Sequence, residues 1–164
     1  AMAELRRMDG ANPAPAFWRI AVRNPLMMDD QADWVTILRI LALLTPKGDV
    51  PPEGRPLLHN KARPFGRVLC DGGDPAWQPQ GDSPDGVVSE RRLVQLLATR
   101  GPARAVALER AARMLAPRMQ PGTGVDVAQI ALALLDPDDT APIARAYFRR
   151  LDGAPRIASE EKTE

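Results

Sequence analysis

The sequence predicts an all-α fold: a compact bundle of about seven or more helices in two packed sub-bundles, with no sheet. Three observations predict it. Apolar residues make up 45% of the 164, but aromatics only 4%, so the core must be mostly Leu, Ala, Val, Ile and Met. Ala and Leu are strong helix formers, and the β-branched and aromatic residues that mark strands are thin outside short runs. Apolar residues also recur at helical spacing between Pro and Gly breaks. The length suits one domain, or one unit of two small lobes.

Residues 1–13 are polar and interrupted by proline, so a flexible N-terminus is expected, with Ala1 before Met2 read as the remnant of a tag. A first helix is expected over residues 16–22, stopped by Asn24-Pro25, because a proline disfavours helical geometry in its predecessor. Phe17 and Trp18 read as packing residues. The strongest helix is expected over 31–44: Trp34, Ile37, Leu38, Leu41 and Leu44 share one wide apolar face. Asp29, Asp30 and Asp33 crowd its start, where carboxylates suit free N–H groups and the helix dipole. Thr45-Pro46-Lys47-Gly48 ends it.

Residues 46–63 form an expected mobile loop rich in proline, with the only histidine, His59. A catalytic histidine needs a nucleophile or carboxylate partner, and a metal-binding one needs ligands at fixed spacing. Neither pattern is present, so His59 reads as a loop or interface residue. A short helix is expected over 64–70, with Phe65, Val68 and Leu69 inward and Arg67 free to point elsewhere. Cys70, next to Asp71 rather than a basic group, reads as a buried structural thiol. Residues 71–88, rich in Gly, Pro and Asp, form a second expected mobile loop with no phosphate-cradling pattern.

Ser89 is a good N-cap for a helix over 90–100, whose buried face is Leu93, Leu96 and Leu97. On a helical projection Arg91 lies opposite that face and Arg92 at its edge, where a stem can bury while the guanidinium faces out. Gly101-Pro102 stops and restarts the chain. The helix expected over 103–115 has a small-residue stripe (Ala103, Ala107, Ala111, Met114) that would allow close helix packing. Arg110 and Arg113 share its opposite flank, and Glu109 can pair with Arg113 four residues on. A helix over 125–135 starts with a capping-box-like Asp126 and Gln129, and its apolar run should be deeply buried. A last helix begins near Pro142, with Thr140 as a candidate cap. It buries Ile143, Tyr147 and Leu151 and leaves Arg145 and Arg149 to solvent. The main helical domain is thus 14–151, and 152–164 reads as a flexible tail.

Net charge is only +1, but its distribution is uneven. Between Gly86 and Val125, Arg91, Arg92, Arg100, Arg104, Arg110, Arg113 and Arg118 face only Glu90 and Glu109, and both flanks are acidic. A near-neutral chain with one basic band suits a polyanion touched on one side. The lone cysteine forms no internal disulfide, which fits a reducing cytoplasm. No run reaches the roughly 18 apolar residues of a membrane span, and no signal peptide is visible.

Taken in order, these landmarks resemble the small subunit (CasB) of the type I-E CRISPR surveillance complex, Cascade. The resemblance runs from about Phe17 to Leu151. It is carried by Phe17-Trp18-Arg19, the helix ending Leu43-Leu44-Thr45-Pro46-Lys47-Gly48, and Ala62-Arg63-Pro64-Phe65-Gly66-Arg67-Val68-Leu69. Ser89-Glu90-Arg91-Arg92-Leu93, Leu108-Glu109-Arg110, Val125-Asp126 and Ala146-Tyr147-Phe148 continue it. The resemblance implies an all-helical, non-catalytic subunit without cofactor, metal or small-molecule substrate. It implies a head-to-tail pair along the inner belly of the complex, touching backbone and large subunits, guide RNA and the target or displaced DNA strand of the R-loop. The family's nucleic-acid-facing positions would fall on Arg67, Arg91 or Arg92, and Arg110, with Arg39 and Arg19 further candidates. Arg100 and Arg113 join them from the basic band. The acidic stretches at Asp74–Asp85 and Asp136–Asp139 should contribute little to holding DNA. A competing reading is a dimeric helix-turn-helix regulator reading bases with the 103–115 helix. That helix lacks the Asn, Gln and Ser residues that read base edges.

Overall fold

The computed structural model describes residues 1–48, 54 and 56–154. It contains α1 (Met2–Arg7), α2 (Pro15–Ala21), a 3-10 turn (Pro25–Met28) and α3 (Gln31–Leu44). After the proline-rich stretch come α4 (Phe65–Asp71), α5 (Glu90–Ala98), α6 (Gly101–Leu115), α7 (Val127–Leu135) and α8 (Ala141–Asp152). Among the described residues there is no strand, only an isolated bridge between His59 and Val125. The all-α expectation holds.

Among the described residues two cores are present, and α3 serves both. Ile37, Ile40 and Leu44 enter the larger one with α4 to α8. Val35 and Ala42 turn to the smaller one, with Leu5, Met8, Phe17, Ala21 and Met27. The single-face reading of α3 was therefore too narrow. A helix clamped between two layers is apolar around most of its circumference, which blurs the 3.6-residue stripe. The carboxylates at its start do not cap it: Asp30 occupies the N-cap position without a side-chain bond. Burial, then the Asp30 charge, pushes the Asp33 carboxyl up from its usual range.

The expected flexible N-terminus is corrected by α1. Leu5 and Met8 are buried, and the Arg6 Nε and Nη2 donate to the carbonyls of Ala42 and Thr45 at 2.7 and 2.9 Å. A guanidinium on the free carbonyls of a helix C-terminus also matches the dipole of α3. The aromatics of α2, Phe17 and Trp18, meet edge to face, 5.2 Å between centroids; Phe17 is fully buried, whereas Trp18 is 40% exposed.

The tightest helix pair is α4 against α8. Gly66 faces the Ile143 carbonyl so closely that a Cβ would overlap it. Phe65, Val68, Leu69 and Cys70 fill the core as expected, and burial pushes the Cys70 thiol up to about 12. Beside them Asp71, fully buried, receives Arg63 Nη2 at 3.0 and 3.1 Å and Arg150 Nε at 3.0 Å. Gly72 closes α4 in the left-handed region, φ 67°.

The segment 72–88 is tied down at several points. Val87 and Val88 donate to the Cys70 and Leu69 carbonyls. Tyr147 donates its hydroxyl to the Val88 carbonyl at 2.7 Å and accepts from Gly86 N–H at 3.1 Å. Of the 46–63 stretch, residues 49–53 and 55 lie outside the described residues. His59 is a helix cap: its Nδ1 accepts the Val127 N–H at 3.3 Å. Asp126 caps α7 as expected, but Gln129 reaches across the bundle. Its Oε1 accepts the Phe65 N–H at 2.8 Å, so the residue expected to complete one cap supplies another. Thr140 precedes α8 without a side-chain cap. α7 is buried through Ile130, Ala133 and Leu134, but Leu132 is 53% exposed.

Candidate nucleic-acid interface

The basic band resolves into structural and free arginines. Ser89 Oγ accepts the Arg92 N–H at 3.3 Å, which starts α5 and fixes its roll. Leu93 and Leu96 then face the core. Arg91 is exposed on the far side, and Arg92 lies at the edge, as its position on the helix predicts. Arg104 is 1% exposed and is a staple. It donates to the carbonyls of Thr99, Ala133, Leu97 and Pro137 at 2.9 to 3.0 Å. Burial, then the neighbouring Arg100 charge, lowers its pKa. Arg100 is committed too, to Asp138 at 3.1 Å and to the Leu97 and Thr99 carbonyls at 2.8 Å.

Between α5 and α6 runs an open groove of about 700 Å³. Its wall includes the small-residue stripe Ala103, Ala107, Ala111 and Met114. Those residues were expected to seat a neighbouring helix. The face of α6 turned to the core is Arg104, Leu108, Ala111, Ala112 and Leu115, so only Ala111 of the stripe is buried. Arg92, Arg110 and Arg113 line the same groove, and among the described residues no acidic one does. Arg92 Nη1 rests on the Met114 sulfur at 3.5 Å, and Arg110 and Arg92 form no ion pair among the described residues.

Arg113 also lines a second groove, of about 550 Å³, with Arg6, Arg7 and Lys47. The two grooves therefore meet at Arg113, and basic side chains continue from α5 and α6 onto α1 and the turn after α3. Arg7 and Lys47 were missed by sequence reasoning, because they join the site only if α1 is folded. The apolar Leu5 and Met8 beside Arg6-Arg7 were the available signal. Glu109 moderates the junction, bonding Arg39 at 3.2 Å and approaching Arg113 at 4.0 Å. The expected Glu109–Arg113 pair is thus present, and Arg39 is mainly occupied by the same carboxylate. Arg67 lies elsewhere, 3.5 Å from Asp71 and on a different pocket. Arg19 is exposed on α2 and lines neither groove.

The family model described as CRISPR-associated protein Cse2 matches residues 1–152. The chain belongs to the Cse2 family. The match bears out the resemblance to the type I-E Cascade small subunit and extends it through α1 at the N-terminus. Neither a curated protein nor a solved structure matches the chain. Membership in the Cse2 family implies a small subunit of the CRISPR Cascade complex, in the company of other Cascade subunits and guide RNA. No helix among the described residues is long and apolar enough to cross a membrane.

Proposed function

We propose that this chain is a non-catalytic, cytoplasmic Cascade subunit that works as a head-to-tail pair along the inner belly of the complex and steadies the R-loop by gripping phosphates. Arg92, Arg110 and Arg113 of one groove, continued by Arg7 and Lys47 of the next, would follow one strand. The observation that carries this reading is the junction at Arg113: two open grooves share that residue, and among the described residues no carboxylate lines either. Exchange of a DNA duplex for a guide–target heteroduplex is nearly balanced, so a few backbone contacts can tip it. Arginine holds phosphate through a planar fork whatever the base, which suits a complex whose sequence reading belongs to the guide. With net charge +1, the free subunit should bind DNA weakly and hold it well only when the complex positions the strand.

The test is target binding by guide-loaded Cascade reconstituted with and without the chain, at several salt concentrations. Tighter binding with a steeper salt dependence supports the clamp. Failure of the chain to join the complex or to alter binding would end it.

A further inference from the structure

A separate pocket lies between α4 and α8. It has a volume of about 610 Å³ and is lined by Arg67, Trp77, Gln78, Arg149, Arg150 and Gly153 among others, none of the described lining residues being acidic. That volume falls within the roughly 300–1,000 Å³ typical of small-ligand sites. Its charge is one-sided. Arg63, Arg67 and Arg150 share the single buried carboxylate of Asp71, at 3.0, 3.5 and 3.0 Å. Arg149 adds a further guanidinium, exposed and without an ion pair among the described residues. The indole is held in place. Arg150 Nη2 donates to the Trp77 carbonyl at 2.8 Å, and its guanidinium carbon lies over the ring, 5.2 Å from the centroid, so Arg150 takes one face of the half-buried indole.

We infer that this pocket takes one unpaired nucleotide, with its base against the part of the Trp77 indole that Arg150 leaves uncovered and its phosphate on Arg149 and Arg67. The inference rests on the reading that the chain meets nucleic acid, but it adds a site distinct from the α5–α6 groove. A fixed aromatic ring beside guanidiniums that outnumber their one carboxylate matches the two faces of a nucleotide, flat and apolar on one side and anionic on the other. An acidic peptide would use the arginines and leave the indole idle. Every base has a stacking face, so the site is blind to sequence. It would favour a strand that is already unpaired, because a base within a duplex cannot reach the ring.

The chain has three tryptophans, so the full-length 15N-labelled protein gives three indole N–H resonances, and Trp77→Phe assigns the one of interest. Two probes are titrated: a thymidine hexanucleotide, and an abasic hexamer with the same phosphates. The expected result is a saturable shift of the Trp77 indole, with the hexanucleotide bound about five-fold or more tightly than the abasic strand, since one stacked base is typically worth at least that factor. Arg149→Ala weakens both probes. Equal affinity for both probes, meaning a phosphate site only, overturns the proposal, as does an unmoved Trp77 resonance. The Arg92→Ala/Arg110→Ala protein separates the two readings. A retained Trp77 response in that variant supports an independent pocket, and its loss shows that the pocket is only an extension of the groove.

Discussion

Asp71 is where single residues matter most to this fold. One carboxylate, itself fully buried, receives Arg63, Arg150 and the Gly73 N–H and lies near Arg67. Removing one member of a buried charge cluster leaves the rest uncompensated, at about 3–5 kcal/mol. Asp71→Asn should therefore lower the melting temperature by roughly 10 °C in a chain of this size, measured by calorimetry; a change of a degree or two would show the cluster to be hydrated and incidental. Cys70 gives a second prediction. Burial raises its thiol from 9.0 to about 12. A neutral form favoured by folding contributes stability below pH 9 that is lost progressively between pH 9 and 12, where the unfolded chain ionises first. Denaturant midpoints should fall across that window in the wild type and fall less in Cys70→Ala, and iodoacetamide should modify Cys70 only after unfolding. The buried thiol was legible from its neighbour Asp71 and its apolar surroundings. The carboxylate cluster was not, because only Arg67 lies at helical spacing from Asp71, and Arg63 and Arg150 arrive through tertiary packing.

At the scale of elements, spacing showed which segments are helices but not always what their faces meet. The buried faces of α5 and α8 were legible in outline, since each buries one stripe, although α5 ends at Ala98 rather than Arg100 and Thr140 does not cap α8. α3 was not, because it divides two cores. The alanine stripe of α6 shows the same limit: Ala111 packs into the core, but Ala103 and Met114 are left bordering a groove. α1 was missed because six residues carry too little periodicity, and its stability comes from docking on α3. Where backbone meets backbone, a single methyl is decisive. Gly66→Ala would drive a Cβ into the Ile143 carbonyl and should separate α4 from α8. Overpacking of this kind typically costs about 1–3 kcal/mol. A melting temperature lowered by several degrees, with helicity by circular dichroism retained, is the expected outcome. An unchanged melting temperature would mean that the two helices move apart freely.

Across the whole molecule, a near-neutral total charge conceals a division of labour among its arginines. Arg104, Arg100, Arg63 and Arg150 are tied to carbonyls and carboxylates of their own chain, whereas Arg92 and Arg110 border an open groove. Charge counting along the sequence located the band but could not sort one kind from the other, since the sorting depends on which carbonyls end up buried beside which guanidinium. The proposed strand path also depends on α1, so Leu5→Asp should undock Arg7 and speed proteolysis within residues 1–14 while leaving the larger core folded. The most direct measurement is target-DNA dissociation from guide-loaded Cascade carrying Arg92→Ala/Arg110→Ala, titrated with salt against the wild type. Each lost phosphate contact on a single strand removes about 0.7 from the slope of log affinity against log salt. The phosphate-clamp account predicts faster dissociation and a slope shallower by roughly 1.4, with thermal stability unchanged. Equal dissociation and equal slope, with the variant fully incorporated, would contradict it.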